Sequence, residues 1–381
     1  MNILIITQEF PPVGAGVSTV AYSLSKYLIK YGHNISVLTC QFGMAAPYNY
    51  ENKIDISVVK GFQMKGGNIQ ILTYLSLLIF GYQKGIQIIK KKNIDVIICF
   101  MTLPAGLLGM FLNIKTKVPF ITSLQGSDVP HHSSSKIIIL LKTLIRIIWQ
   151  QSNMVVAGSQ HLRDLANRTY CKAESEFKVV YNGLEIVIAN SVKIKNKSSK
   201  YNLLTVARLY KLKGIQDVLR ALHHLRNQDL VDNFVYNVVG TGPYEEELKA
   251  LVIKYNLVDN VNITGYVDKD ILTSYYTSSD FFILTSHNEA MGMVLLEALS
   301  YNLPIIGSNI GGIPEIVDSN IGILVEKDNY IEIAQAILDM SSSLNEYKKE
   351  KLQKKLKFFS ISRMGDGYTN IAKNLIKKRF N

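Results

Sequence analysis

The chain has 381 residues, 48% of them hydrophobic and 19% charged. That is the make-up of a packed globular protein of roughly two to three domains, and it excludes a disordered, collagen-like or coiled-coil chain. Of its net charge of +12, +9 falls in residues 1–186 and +3 in residues 187–381. The basic half points to an anionic partner (nucleic acid, a phosphorylated substrate or an anionic membrane surface) or to a plain solvated surface.

Three cysteines, Cys40, Cys99 and Cys171, are odd in number and far apart. They support neither a disulfide framework nor a zinc cluster, and fit a reducing compartment.

In chain order, Met1–Thr7 lacks a charged n-region and turns polar at Gln8-Glu9. It reads as a first strand rather than a signal peptide, and a cytoplasmic protein is expected. Short aliphatic runs follow at Ile35–Thr39, Ile56–Val59, Val96–Phe100, Phe120–Leu124, Val155–Gly158 and Val179–Tyr181. Continuous apolar strands belong to parallel sheets covered on both faces, and Val17–Tyr31 and Lys136–Gln150 between them carry helical spacing. The apolar stretches Ile69–Phe80 and Ile137–Ile148 are too short to span a bilayer, so no transmembrane helix is predicted.

Residues 187–200 are polar and lysine-rich and read as a linker between a first domain, 1–186, and a second, 201–343. In the second, strands are predicted at Leu203–Val206, Tyr236–Val239, Val261–Thr264, Phe281–Leu284, Ile305–Gly307 and Ile323–Val325, with helices at Gln216–Arg226 and Tyr244–Tyr255. Residues 344–381 form a basic helical tail, interrupted near Gly365-Asp366-Gly367 and expected to pack back toward the first domain. The expected fold class is α/β, two doubly wound Rossmann-like domains facing across a cleft, with ligands beyond the carboxyl ends of the strands.

The chemistry should therefore sit just after strands. Gly14 and Gly16 follow the first strand, where a helix start favours an anion; a tight turn accounts for the same two glycines. Arg208 at a strand exit and Lys213 at the next helix start can clamp a diphosphate. After Phe281–Leu284 comes Glu289, then the helix-start amides of Met291, Gly292, Met293 and Val294, then Glu297 two turns in. Carboxylates accept from vicinal hydroxyls and free amides donate to phosphate oxygens, so this layout suits a nucleotide sugar. An acid beside a helix start and an exposed helix acid would look the same.

Gln125 and Asp128 place an amide and a carboxylate after a first-domain strand. Gly240-Thr241-Gly242-Pro243 and Gly311-Gly312-Ile313-Pro314-Glu315 are turns first and phosphate cradles second. The seven histidines show no metal-ligand spacing, and no Gly-x-Ser-x-Gly or Gly-Lys-Ser/Thr occurs. No protein-bound metal or cofactor is expected.

Glu289-Ala290-Met291-Gly292 with Glu297, together with Val206-Ala207-Arg208-Leu209 and Lys213-Gly214, resembles the retaining GT-B glycosyltransferases of family 4, or glycosyl transferases group 1. Gly14-Ala15-Gly16, Gly126-Ser127-Asp128, Ser159, Tyr181-Asn182-Gly183, Gly240-Thr241-Gly242-Pro243, Thr264-Gly265 and the Gly311 segment look like family landmarks in the family's order.

The resemblance implies that the second domain binds a UDP or GDP sugar and the first an acceptor, a glycan or a lipid-linked intermediate of cell-surface polysaccharide or glycolipid synthesis. Arg208 and Lys213 would hold the diphosphate and Glu297 the ribose. Glu289 and the amides of Met291–Val294 would take the sugar and phosphates, and Gly16 would close over the phosphates. It implies transfer without a metal, the departing phosphate taking the acceptor proton. Two departures stand out: Gln125 replaces a frequent histidine, and Met291 a frequent aromatic.

A hydrolysing nucleotide-sugar epimerase and a silent nucleotide-sugar-binding protein share this architecture. Lys136–Gln150 and Ile69–Lys92 combine cations with apolar residues, which suits docking on an anionic membrane or core packing equally. A nucleic-acid partner is not expected.

Overall fold

The computed structural model describes residues 1–11, 16–41, 54–60, 69–133, 136–170, 177–185 and 200–380. The expected linker, Gly14, Ala15 and Cys171 lie almost wholly or entirely outside them. The chain divides into two compact units, Met1–Glu185 with Phe359–Asn381, and Ile186–Phe358.

The first unit runs β1 (Asn2–Ile6), α1 (Gly16–Lys30), β2 (Asn34–Gln41), β3 (Asp55–Lys60), α2 (Ile69–Lys92), β4 (Val96–Phe100), α3 (Leu107–Thr116) and β5 (Phe120–Leu124). It continues through α4 (Lys136–Leu140), α5 (Lys142–Gln151), β6 (Met154–Ala157), α6 (Gln160–Tyr170) and β7 (Phe177–Val179). The sheet is parallel, in the order β3-β2-β1-β4-β5-β6-β7. Strands β4 and β5 are buried at every residue, as the unbroken apolar runs require of a sheet covered on both faces.

In the second unit, β8 (Tyr201–Val206), α7 (Ile215–Arg226), β9 (Phe234–Val239), α8 (Glu245–Lys254), β10 (Val261–Ile263) and α9 (Lys269–Ser278) come first. Then follow β11 (Phe281–Leu284), α10 (Met293–Ser300), β12 (Ile305–Ser308), α11 (Ile313–Ile316), β13 (Gly322–Val325), α12 (Tyr330–Ser343) and α13 (Lys349–Phe358). Its parallel sheet is ordered β10-β9-β8-β11-β12-β13. Its core gathers Leu219 and Leu222 of α7, Phe281 and Ile283 of β11 and Ile337 of α12. Each sheet reverses its order once, at β1/β4 and at β8/β11, and the loops leaving those strand ends are where a doubly wound sheet holds its ligand.

Three readings shift. The apolar stretch Lys136–Gln150 breaks at Leu141 into α4 and α5, and Leu140 at the end of α4 is 84% exposed. The strand expected at Val179–Tyr181 lies two residues earlier.

The tail breaks at Phe359–Ser360, not at Gly365-Asp366-Gly367, which sits inside α14 (Ile361–Phe380). Those glycines are packing devices: a Cβ at Gly365 would lie 2.0 Å from the Tyr27 ring, and Tyr27 donates to Asp366 across the same contact at 2.8 Å. Helix α14 thus closes the first unit against α1, while α13 stays with the second. No helix among the described residues is long and apolar enough to cross a membrane.

Candidate active site

In the second unit the switch between β8 and β11 sets two loops side by side. Leaving β8, the Leu209 amide donates to the Thr241 carbonyl (2.9 Å), and Tyr244 N–H returns a bond to the Leu209 carbonyl (3.0 Å). The Gly240–Pro243 segment is therefore engaged in shaping the Arg208 loop.

A single turn, Lys211–Lys213, then ends at Gly214 in the left-handed region (φ 69°). A Cβ there would stand 1.8 Å from the Thr285 carbonyl oxygen, while Thr285 Oγ1 donates to the Gly214 carbonyl at 2.9 Å. Only glycine allows this approach, and the approach carries Lys213 onto the loop after β11.

There Lys213 Nζ meets Glu289 Oε2 at 2.7 Å, with both side chains largely shielded. The Gly311 segment holds Glu289 from the other side. The Gly312 amide donates to the Glu289 carbonyl at 3.1 Å, and a Cβ at Gly311 (φ 60°) would fall 2.0 Å from that same oxygen. Arg208 emerges from the neighbouring loop exposed, its guanidinium 5.6 Å from the Tyr210 ring centre. Lys213 and Glu289 are thus joined directly; Arg208 shares the Lys213 loop and leans on an aromatic.

Helix α10 begins at Met293 behind Gly292, in the left-handed region (φ 86°), with Met291 buried beneath. The first amides of a helix have no carbonyl a turn earlier, so positive potential gathers at this start. Within α10, Glu297 Oε2 accepts from Tyr276 Oη (2.8 Å), and the Tyr276 ring lies stacked on Tyr301, centres 4.9 Å apart. Burial raises the Glu297 pKa, and the Tyr276 bond opposes that only in part.

One arrangement escapes sequence spacing. His287 Nε2 lies 2.6 Å from Asp217 Oδ2 and 3.2 Å from Asp328 Oδ1, while its backbone N–H bonds the Leu212 carbonyl at 2.8 Å. The cluster ties α7, the Lys213 turn and the Glu289 loop together. It also gathers three ligand-type atoms within 4.8 Å, with His287 and Asp217 70 positions apart in the chain and Asp328 farther on.

In the first unit, Gln125 donates to Ser123 Oγ (2.7 Å) and accepts from Asn182 Nδ2 (3.0 Å), leaving one amide proton and one lone pair. Asp128, expected to offer a carboxylate to a ligand, is fully buried. It accepts from the Thr102 amide and hydroxyl and from the Gln125 and Gly126 amides, at 2.8–3.0 Å. It shapes the turn that presents Gln125 and presents nothing itself; burial pushes its pKa up against those bonds. Gly16 is exposed at the first residue of α1.

Two doubly wound parallel units with their switch-point loops so equipped define the GT-B fold. Sucrose-phosphate synthase from Thermosynechococcus elongatus shares it with a TM-score of 0.84 at 16% identity, over 99% of both chains. Anabaena HepE, solved with UDP, does so with a TM-score of 0.78 at 18% identity, over 98% of this chain and 100% of that one.

In sequence, Glycosyltransferase Family 4 matches residues 14–187 and Glycosyl transferases group 1 matches 188–357. The chain belongs to this family of glycosyltransferases. A curated relative, the alpha-monoglucosyldiacylglycerol synthase of Streptococcus pneumoniae, is 26% identical over 96% of this chain and 84% of its own length.

Proposed function

We propose that the chain is a retaining, metal-independent hexosyltransferase. It would carry a sugar from a UDP or GDP donor in the second unit to a lipid-linked or glycan acceptor at the first, on the cytoplasmic face of the membrane, in cell-surface polysaccharide or glycolipid synthesis. The observation that carries this reading is the Lys213–Glu289 pair, 2.7 Å apart, set before the start of α10 with Glu297 about one turn in. The Streptococcus pneumoniae relative, named for a glycolipid product, supports the lipid acceptor, and the Anabaena neighbour, solved with UDP, supports the donor class.

In the reaction, the bond from the anomeric carbon to the β-phosphate oxygen breaks. The acceptor oxygen bonds that carbon on the same face, and its proton passes to the departing phosphate. Charge grows on the diphosphate, where Arg208, Lys213 and the α10 amides supply preorganised positive potential. Glu289 would accept from sugar hydroxyls and Glu297 from the ribose, while the remaining Gln125 proton faces the sugar or acceptor.

The test incubates UDP and GDP sugars with and without membrane lipid, in excess chelator, and reads the product anomer by NMR. An α-linked product formed from an α-donor in chelator is the expected result. Activity lost in chelator and restored by Mg²⁺ would overturn metal independence. Donor epimerised without acceptor would make the protein an epimerase.

A further inference from the structure

We infer that the helix layer α2–α5 of the first unit is the surface by which this protein docks on an anionic phospholipid bilayer. Between Asp55 and Asp164 the sequence carries twelve Lys or Arg and two acids, Asp95 and Asp128. Both acids are engaged internally, Asp95 by the Asn2 amide at 2.7 Å and Asp128 by Thr102 in the core. Helices α2, α3, α4 and α5 hold no carboxylate, where a solvated surface ordinarily mixes both signs.

Right-handed crossovers from β3 to β4, β4 to β5 and β5 to β6 put these helices on one face of the sheet, α2 against α3 and α3 against α5. Apolar side chains gather on the same layer. Nine large hydrophobic residues are exposed among the described residues of the first unit, and eight stand on these four helices. They include Ile79 and Phe80 on α2, Phe111 and Ile114 on α3, Leu140 on α4 and Ile147 on α5. Lys84, Lys90 and Lys91 on α2 and Lys115 on α3 are exposed among them.

Aliphatic side chains that enter the acyl boundary beside lysines that meet lipid phosphates are the two signals an interfacial anchor needs. A second copy would bring one cationic face against another, and a nucleic acid would meet the lysines but leave the aliphatic side chains unused.

Placement fits the task. Helix α2, 24 residues, is about 36 Å long, whereas the five-residue strand β4 that it precedes spans about 17 Å. The N-terminal half of α2, with Ile79 and Phe80, therefore overhangs the carboxyl edge of the sheet, the edge from which the Gln125 loop and α4 depart. That the bilayer lies along the acceptor's edge rests on the reading of the first unit as the acceptor unit; the docking itself does not.

The experiment floats the full chain with vesicles of phosphatidylglycerol and phosphatidylcholine, and with phosphatidylcholine alone. The protein should float with the anionic vesicles only, and high salt should reduce the bound fraction. Ile79→Ser with Leu140→Ser should lower binding about tenfold, as should Lys84→Glu with Lys91→Glu at low salt. All four side chains are exposed, so melting should be unchanged. Ile253→Ser with Val258→Ser, equally exposed in the second unit, should leave binding intact.

No flotation at low salt, equal loss in the second-unit variant, or a reversible dimer abolished by the Ile79 and Leu140 changes would overturn the assignment. Binding requires neither donor nor acceptor. A negative result would leave the transferase reading standing, and failure with every donor would leave the docking standing.

Discussion

Glu289 and Glu297 are eight positions apart, yet the fold gives them opposite electrostatic settings. Glu289 is balanced by Lys213, while Glu297, one turn into α10, accepts from the neutral Tyr276 hydroxyl. Loss of charge at Glu297 should weaken donor and free nucleotide diphosphate together, and Glu297→Gln is expected to cost about 1–3 kcal/mol of both by calorimetry. Glu289→Gln should leave nucleotide diphosphate binding nearly intact while transfer falls sharply; if it abolished that binding, the two roles would be misassigned.

Titration gives an independent handle. Burial raises the Glu297 pKa above its ordinary 4.5, so the folded state keeps this proton to higher pH than the unfolded one. The parent then loses stability as pH rises through 4.5 toward the raised value, and Glu297→Gln has nothing to lose. The stability of the variant relative to the parent should increase from about pH 4 to about pH 7 in urea melts at fixed salt; a flat difference would contradict the assignment. The acids were legible from their spacing around a helix start. Their partners were not, because Lys213 and Tyr276 reach them from 76 and 21 residues away.

At the scale of elements, the active loops are fixed by carbonyls that lie where a side chain would begin. Gly214→Ala would set a methyl against the Thr285 carbonyl in a left-handed backbone, and the loop after β11 would have to shift. The expected cost is about 1–3 kcal/mol of stability with a larger loss of transfer, read by melting and product assay. A variant active at the parent rate would remove Gly214 from the positioning of Lys213. Strand and helix identities were readable here because continuous apolar runs and helical spacing leave little choice. The Gly240–Pro243 segment was not, since a turn that cradles phosphate and a turn that braces the Arg208 loop have the same residues. Asp128 misled for a related reason: a carboxylate after a strand end suits a ligand and four backbone or hydroxyl donors equally, and only burial decides.

For the whole molecule, the chain passes from the first unit to the second and returns for its last helix. Nothing in the composition of residues 344–381 separates α13, which stays with the second unit, from α14, which completes the first. The signal lies in the pairing of Gly365 with Tyr27, between residues more than three hundred positions apart.

Helix α14 buries Met364, Tyr368, Ile371 and Ala372, and Phe359 precedes it into the same core. At about 1.5–3 kcal/mol for each large side chain, this burial is comparable with the 5–15 kcal/mol that holds a typical domain together. Tyr368 also bonds Ser123 Oγ at 2.5 Å, the hydroxyl that accepts from Gln125, so α14 braces the Gln125 loop. A chain ending at Phe358 should therefore lose the folded first unit while the second still binds nucleotide diphosphate. Calorimetry would show one melting transition in place of the parent's pattern, with diphosphate affinity kept and transfer gone. Tyr368→Phe, which removes only the hydroxyl, should cost about 1 kcal/mol of stability and lower transfer without touching donor affinity. A truncated chain that still transferred sugar at the parent rate would show that α14 is dispensable and that the Gln125 loop stands without it.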